Sequence, residues 1–311
     1  MGFGVEWAGD RAYIADMNSH FDSAAAPPDP LAAALARKSI AGAPGTYSDT
    51  AIAAGDGWWV YDIVCTCGPR DRSGEEQTST SGIALVLSGS FVASNRHGTS
   101  LLGPGALFLI EAGRCFACSH QHGEGDRCLS VKFEPELFER IAHDAGATAE
   151  FAHNSLPPLR ELSPLTARAR MAMTRPDQME EAAFEMMGAA IELGGRLRHA
   201  GSAPTHHHGR MTEVLRYMAA HAAAPHKIAG LARMAHLSPY HFLRSFKATT
   251  GVTPHQWLLR TRLRNAAEIL AATRIPVTDI ALDVGFEDLS NFTRSFRAEF
   301  GASPRQFRLA A

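Results

Sequence analysis

The chain is poor in cysteine, has no long apolar run and carries almost no net charge. Its five cysteines in 311 residues are few and odd in number, which does not make a disulfide framework; a reducing cytoplasm is the expected home. No uninterrupted apolar stretch approaches the ~20 residues that a membrane span requires, so no membrane partner is expected. Residues 1–20 lack a basic start followed by an apolar core and are not read as a secretory signal. The formal net charge is −2, with 45% hydrophobic and 20% charged residues, an ordinary soluble composition. The length allows two domains of ~100–200 residues each.

The small net charge hides an uneven distribution. From Gly209 onward there are 14 Lys and Arg against 7 Asp and Glu, which leaves 16 and 25 of the chain totals of 30 and 32 for the remainder. A basic C-terminal third on an acidic remainder points to a polyanion as the partner of that third. The same third contains a repeat. Arg244-Ser245-Phe246, Gly251, Pro254 and Gln256 return 50 positions later as Arg294-Ser295-Phe296, Gly301, Pro304 and Gln306. Upstream, Ile228 to Ala232 reads against Val277 to Ala281 with one extra residue in the second copy. A repeat of this kind is one supersecondary unit used twice.

Taken in order, the chain divides as follows. Residues 1–38, with the breaker cluster Ala24-Ala25-Ala26-Pro27-Pro28-Asp29-Pro30, are expected to be a loose arm. Across 39–145 short apolar runs at 58–66, 82–87, 90–93, 107–110, 116–120 and 128–133 alternate with turn residues, the pattern of an all-β barrel or sandwich, closed by a helix at 135–145. Residues 146–200 read as a helical connecting segment. Its stripe of Met179, Ala182, Ala183, Met186, Ala190, Ile191 and Leu197 either packs on its own barrel or pairs two copies in a homodimer. Residues 201–209, with His206 to His208, are a linker. Residues 210–311 are helical throughout.

Within 210–311, segments 228–249 and 277–300 each read as a short helix, a tight turn and a helix of about a dozen residues: two helix-turn-helix motifs. Leu231, Ala232, Phe242 and Phe246, like Ile280, Ala281, Phe292 and Phe296, fall where the helices must pack. The opposite faces present Tyr240, His241, Leu243, Arg244 and Lys247 in the first copy. In the second they present Leu289, Ser290, Asn291, Thr293, Arg294 and Arg297. Such faces suit the major groove, where Arg reads guanine and Lys and Arg meet phosphates. The joining helix, 254–273, should be ~30 Å long at ~1.5 Å per residue, close to the ~34 Å of one DNA turn, so the two motifs can enter successive major grooves. Arg260, Arg262, Arg264 and Arg274 are candidates for phosphate contacts.

These motifs resemble the C-terminal domain of AraC-type (AraC/XylS) transcriptional regulators. The resemblance is carried by Leu231-Ala232, Ser238-Pro239, Phe242-x-Arg244-x-Phe246-Lys247, Gly251, Pro254, Ile280-Ala281, Val284-Gly285-Phe286, Phe292-x-Arg294-x-Phe296 and Gly301-x-x-Pro304-x-x-Phe307. It implies that Tyr240, Leu243 and Arg244, with Leu289, Ser290, Thr293 and Arg294, approach bases. The partners it implies are promoter or operator DNA, RNA polymerase and an unknown small-molecule effector. His236 stands where the first turn commonly has Gly and is expected to adopt a positive φ, which His tolerates better than most residues. Family members often carry an N-terminal cupin-like β-barrel that senses a small molecule, and 82–133 resembles one weakly. The expected architecture is therefore an α+β multidomain chain: a cupin-like barrel, connecting helices, and an all-α domain with two helix-turn-helix motifs joined by a long helix.

No His-x-His lies at residues 80–87, so a metal-dependent cupin enzyme is not expected, and the chain is read as a non-enzyme. The barrel holds a different cluster: Cys115, Cys118, His120, His122 and Cys128. Thiolate and imidazole together suit Zn²⁺, which makes a metal- or thiol-redox-responsive regulator the alternative function; Cys65 and Cys67, on one face of a strand, are possible further donors or simply packing. The bland reading is that buried Cys acts as a small hydrophobe and that Asp126 pairs with Arg127.

Overall fold

The computed structural model describes residues 29–71, 74–120, 123–197 and 208–311. Its N-terminal half is built on two antiparallel sheets. Strands β1 (Tyr47–Gly55), β2 (Trp58–Cys65), β4 (Ser81–Gly89), β7 (Leu107–Ile110), β9 (Asp126–Phe133) and β10 (Ser155–Leu156) form a six-stranded sheet in the order β1-β2-β9-β4-β7-β10. Strands β3 (Glu75–Gln77), β5 (Phe91–Asn95), β6 (Gly98–Leu102) and β8 (Cys115–Ser119) form a four-stranded sheet in the order β3-β8-β5-β6. The two face each other without closing into a continuous barrel ladder. The expected runs appear as strands, and β1, β3, β6 and β10 are added to them. Helix α1 (Pro30–Ala41) corrects the expected loose arm in part: Asp29 accepts from the Leu31 N–H as N-cap, with Pro30 at the first helical position, where its missing N–H costs nothing. Residues 1–28 lie outside the described residues.

The central strands β4, β7 and β9 of the six-stranded sheet are buried on both faces, which accounts for their near-continuous apolar runs. One face packs Val60, Ile83, Leu85, Leu107, Leu129, Val131 and Phe133 against α2 (Pro135–Asp144), α3 (Ser163–Ala172) and α4 (Met179–Arg196). The stripe Met179, Ala182, Ala183, Met186, Ala190 and Ile191 of α4 lies fully within this core. The stripe, with Leu197 packed half-buried at its end, thus follows the first of its two readings and covers its own sheet. The other face packs Ala84, Val86, Phe108 and Cys128 against Phe91, Ala93 and Leu102 of the smaller sheet.

The C-terminal half has α5 (His208–Ala220), α6 (Ile228–Met234), α7 (Pro239–Thr250), α8 (Pro254–Ala272), α9 (Val277–Asp283), α10 (Leu289–Phe300) and α11 (Pro304–Ala310). The repeat is visible in the chemistry of the helix ends. Ser238 caps α7 and Asp288 caps α10, each accepting from the third N–H. Both helices stop on left-handed glycines, Gly251 at φ 75° and Gly301 at φ 77°, where a side chain would strain the backbone. Thr253 with Gln256 and Ser303 with Gln306 then form capping boxes that start the next helices. One core joins α5, α6, α7 and Trp257 to Leu101 of β6; a second joins α8, α9 and α10 to Ala167 of α3. Each motif thus rests on a different part of the N-terminal half. His206 and His207 lie outside the described residues, and His208 is a buried residue at the start of α5.

The turns between motif helices solve one problem in two ways. His236 takes φ 53°, and among the described residues it is the only non-glycine residue with positive φ. The equivalent turn of the second copy uses Gly285 at φ 92°, where a β-carbon would fall 2.3 Å from the Ala223 carbonyl oxygen. Because His236 is exposed, its substitution reads the backbone alone. His236→Gly is expected to stabilise the fold by about 0.5–1 kcal/mol and His236→Val to destabilise it by about 1–2 kcal/mol, measured by denaturant unfolding. Met186, fully buried, gives a second expectation. Met186→Ala should cost about 2–5 kcal/mol at every protein concentration, whereas an interface residue would show its cost through a concentration-dependent midpoint.

Candidate nucleic-acid interface and interior cavity

Every residue expected to face DNA lies on the outer surface of α7 or α10. Tyr240 is 63% exposed and Leu243 and Leu289 are each 41% exposed; His241, Arg244, Lys247, Ser290, Asn291, Arg294 and Arg297 are also exposed, and Thr293 is half-buried. The faces are kept outward by the opposite residues, since Phe242, Phe246, Phe292 and Phe296 are fully buried. Arg244 lies over the Tyr240 ring, 5.8 Å from its centroid, with Nη1 3.4 Å from the phenolic oxygen. The contact spans one helical turn and holds the guanidinium at the outer surface. Three apolar or aromatic side chains left exposed on helices that otherwise bury theirs need a partner to explain them.

The arginines of α8 differ from expectation. Arg262 donates to the carbonyl oxygens of Ala222 at 2.7 Å, Ala224 at 2.9 Å and Gly285 at 2.7 Å. It clamps the end of the α5 region to the second motif's turn. Arg260 donates to Pro158 O at 2.8 Å and pairs with the buried Glu299 at 3.4 Å. Arg264 is buried, bonded to Thr261 Oγ1 at 3.0 Å; burial pulls its guanidinium down to about 9, and the neighbouring Arg170 adds to the shift. These three are structural and do not face a duplex. Arg274 alone of the four is exposed. The sequence reading missed this because α8 is amphipathic only in outline: arginines tile surfaces in contact with three neighbours.

Between the two sheets lies a cavity of about 400 Å³ whose walls include Phe91, Phe108, Phe116, Cys118, His120 and Cys128. It has an apolar body with a polar end, the form expected of a small-molecule site. The polar end is a cluster. His120 Nε2 is 2.6 Å from Asp126 Oδ1, and Cys128 Sγ donates to Asp126 Oδ2 at 3.0 Å. Cys65 is the cross-strand partner of Asp126, and its sulfur completes a buried group of Cys65, His120 and Asp126 whose donor atoms all lie within 4.8 Å of one another. Burial pushes the thiols of Cys65, Cys118 and Cys128 well up, and the nearby Asp126 charge pushes the same way.

Of the five expected ligands, Cys118, His120 and Cys128 line the cavity. Cys115 does not: it is exposed on the opposite face of β8, as the alternation of side chains along a strand requires for residues three apart. His122 lies outside the described residues. Asp126 was expected to pair with Arg127, but Arg127 turns outward and forms a two-pronged bond to Asp62, both contacts at 2.8 Å. The counting rule that places Cys118 and His120 on one face would also have excluded Cys115. Cys65 is read as a possible donor in the sequence; Asp126 is joined to it only by the β2–β9 register, which is not local.

Comparison with known proteins follows the same division. Residues 231–310 match a helix-turn-helix domain family and residues 64–189 match the AraC-like ligand binding domain family. The regulatory protein PocR of Salmonella typhimurium is 32% identical over 105 residues, 34% of this chain and 35% of that protein. The arabinose operon regulatory protein of the same organism is 33% identical over 100 residues, 32% of this chain and 36% of that one. The chain thus spans about a third of the length of these relatives. Among solved structures, the DNA-binding domain of the global transcriptional factor AdpA, in complex with a target DNA, is 30% identical, covers 32% of this chain and 91% of that one, and has a TM-score of 0.32. Among the described residues no helix is long and apolar enough to cross a membrane. An AraC-like ligand-binding domain is thus followed in this chain by a helix-turn-helix domain similar to those of AraC-type regulators.

Proposed function

We propose that the protein is a cytoplasmic, sequence-specific DNA-binding transcriptional regulator whose N-terminal domain senses a small molecule in the cavity between its sheets. The observation that carries the reading is the duplicated motif with both long helices presenting an exposed face of Arg with apolar and hydroxyl groups. Arg244 and Arg294 occupy matching positions in the two copies, suited to guanine edges, while Leu243 and Leu289 suit thymine methyl groups. Joined by a helix of 19 residues, the two faces fit successive major grooves of one duplex. RNA polymerase and a second copy of the chain are the further partners; a second copy would have to pair through a face other than the buried stripe of α4.

An effector controls such a protein only by binding one arrangement of the two halves better than another. The contacts that such an effector would shift are present. Leu101 of β6 lies in the core of the first motif and Ala167 of α3 in that of the second, so a change of either sheet or helix position reaches the DNA-binding half.

The test starts by selecting a preferred duplex from a randomised library. Arg244→Ala and Arg294→Ala are each expected to weaken binding to it by about 1–3 kcal/mol and to relax the preference at one position. Equal losses on random DNA would show phosphate contacts only, and no preferred duplex at all would overturn the reading. Arg262→Ala should behave differently. Its guanidinium holds four carbonyl groups, those of Ala222, Ala223, Ala224 and Gly285, so the variant should lose about 1–3 kcal/mol of folding stability while the salt dependence of its DNA affinity stays that of the parent protein, measured by titration at several ionic strengths.

A further inference from the structure

The polar end of the cavity sits where three independent parts of the fold converge. Cys65 ends β2, Asp126 begins β9 directly opposite it, and His120 leaves β8 of the other sheet. Each is at least nine-tenths buried, at 8%, 5% and 8% exposure. A carboxylate, an imidazole and a thiol gathered inside a protein with their donor atoms within 4.8 Å are costly to bury unless each finds a strong partner. Two more thiols, Cys118 and Cys128, line the same cavity.

We propose that Cys65, His120 and Asp126 bind a divalent cation of the Zn²⁺ type, with Cys118 or Cys128, whose sulfurs lie outside that 4.8 Å group but line the same cavity, moving in to the fourth position. Sulfur, nitrogen and carboxylate oxygen in one tetrahedral set are the donors Zn²⁺ takes, and the thiolates exclude Mg²⁺ and Ca²⁺. His120 Nε2 and Asp126 Oδ1 stand at a hydrogen-bond distance of 2.6 Å. As ligands with bonds of ~2.0–2.1 Å at tetrahedral angles they would stand about 3.3 Å apart, an opening of about 0.7 Å. Each coordinating thiol gives up its proton to solvent as the metal–sulfur bond forms, so the apparent affinity should fall about tenfold for each unit by which the pH is lowered, for each proton released.

The placement gives the site a consequence. His120 and Asp126 flank the turn between β8 and β9, and that turn rests on α5. Arg216 Nη1 donates to Glu124 O at 3.1 Å, and a β-carbon at Gly123 would fall 2.5 Å from Arg216 and 3.2 Å from Thr212. Drawing His120 and Asp126 around a cation moves the two ends of the segment that touches the first motif's leading helix. The binding claim itself does not rest on DNA recognition, and its readout involves no DNA.

The experiment uses the untagged full chain, stripped of metal under reducing conditions and titrated with Co²⁺ and then Zn²⁺. The expected result is one Co²⁺ per chain, with a thiolate-to-cobalt charge-transfer band and tetrahedral visible absorption, both bleached by one equivalent of Zn²⁺. Cys65→Ser and Asp126→Asn should each weaken binding by at least about tenfold to a hundredfold, while Cys115→Ser, on the other face of β8, leaves both band and affinity unchanged. Should a buried variant fail to fold, the wild-type chain still decides: bound Zn²⁺ must protect at least two thiols from a thiol reagent. Absence of the charge-transfer band, or unchanged thiol reactivity, overturns the proposal, as does loss of the band in Cys115→Ser. Binding without thiolate absorption would assign the metal to the His206–His208 run instead.

Discussion

The central strands of the six-stranded sheet have no face they can leave to water, and the rest of the molecule is arranged by that requirement. Val60, Leu85, Leu107, Leu129 and Val131 on one side and Val86 and Phe108 on the other are all at most 1% exposed. A sheet buried on both faces needs two covers. Here the smaller sheet supplies one and α2, α3 and α4 the other. The helical segment after the strands is therefore part of the same domain's core, which is why the matched ligand-binding region extends from the strands into α4. The smaller sheet in turn has an outer face to cover, and Val92 and Leu101 on it meet the first motif.

Coupling between the halves follows from this layering. The first motif leans on the sheet that forms one wall of the cavity. The second leans on α3, which covers the other sheet. Arg170 of α3 donates to Leu87 O at 2.6 Å and pairs with Glu268 of α8, and Ser163 of α3 bonds the buried Glu299 of α10. Burial of Ser163 and Glu299 makes their contact sensitive to small displacements, because a hydrogen bond in a dry interface is lost outright when its partners separate.

The repeat was legible because its signals are local. Ser238, Asp288, Gly251, Gly301 and the two capping boxes act within four residues of themselves, and the structure uses each as its sequence neighbours imply. The positive φ at His236 was legible for the same reason. The partner of an apolar or charged face was not. The α4 stripe has the same spacing whether it covers its own sheet or a second copy, and Arg260, Arg262 and Arg264 look like surface charges until α5, α9 and α10 are packed around them. The cavity cluster fell between these cases. Alternation placed Cys118 and His120 on one face, but only the register of β2 on β9 sets Cys65 opposite Asp126.

The removal of Arg260, Arg262 and Arg264 from the candidate phosphate contacts sharpens the electrostatic argument for the C-terminal third. Three of its 14 basic residues are consumed in holding the fold together. The net positive charge of that third still acts at long range on a polyanion; of its exposed basic residues, Arg244, Lys247, Arg294 and Arg297 lie on α7 and α10, and Arg210, Lys227, Arg233, Arg274 and Arg305 lie elsewhere. Arg244 and Lys247 recur 50 positions later as Arg294 and Arg297. A purely structural repeat would need only its phenylalanines and caps in register. That the exposed cations keep the same register means both copies present charge in the same orientation relative to their own motif. The outer faces of the two long helices are thus two copies of one surface, matched to a partner that offers its charge periodically, as a duplex does.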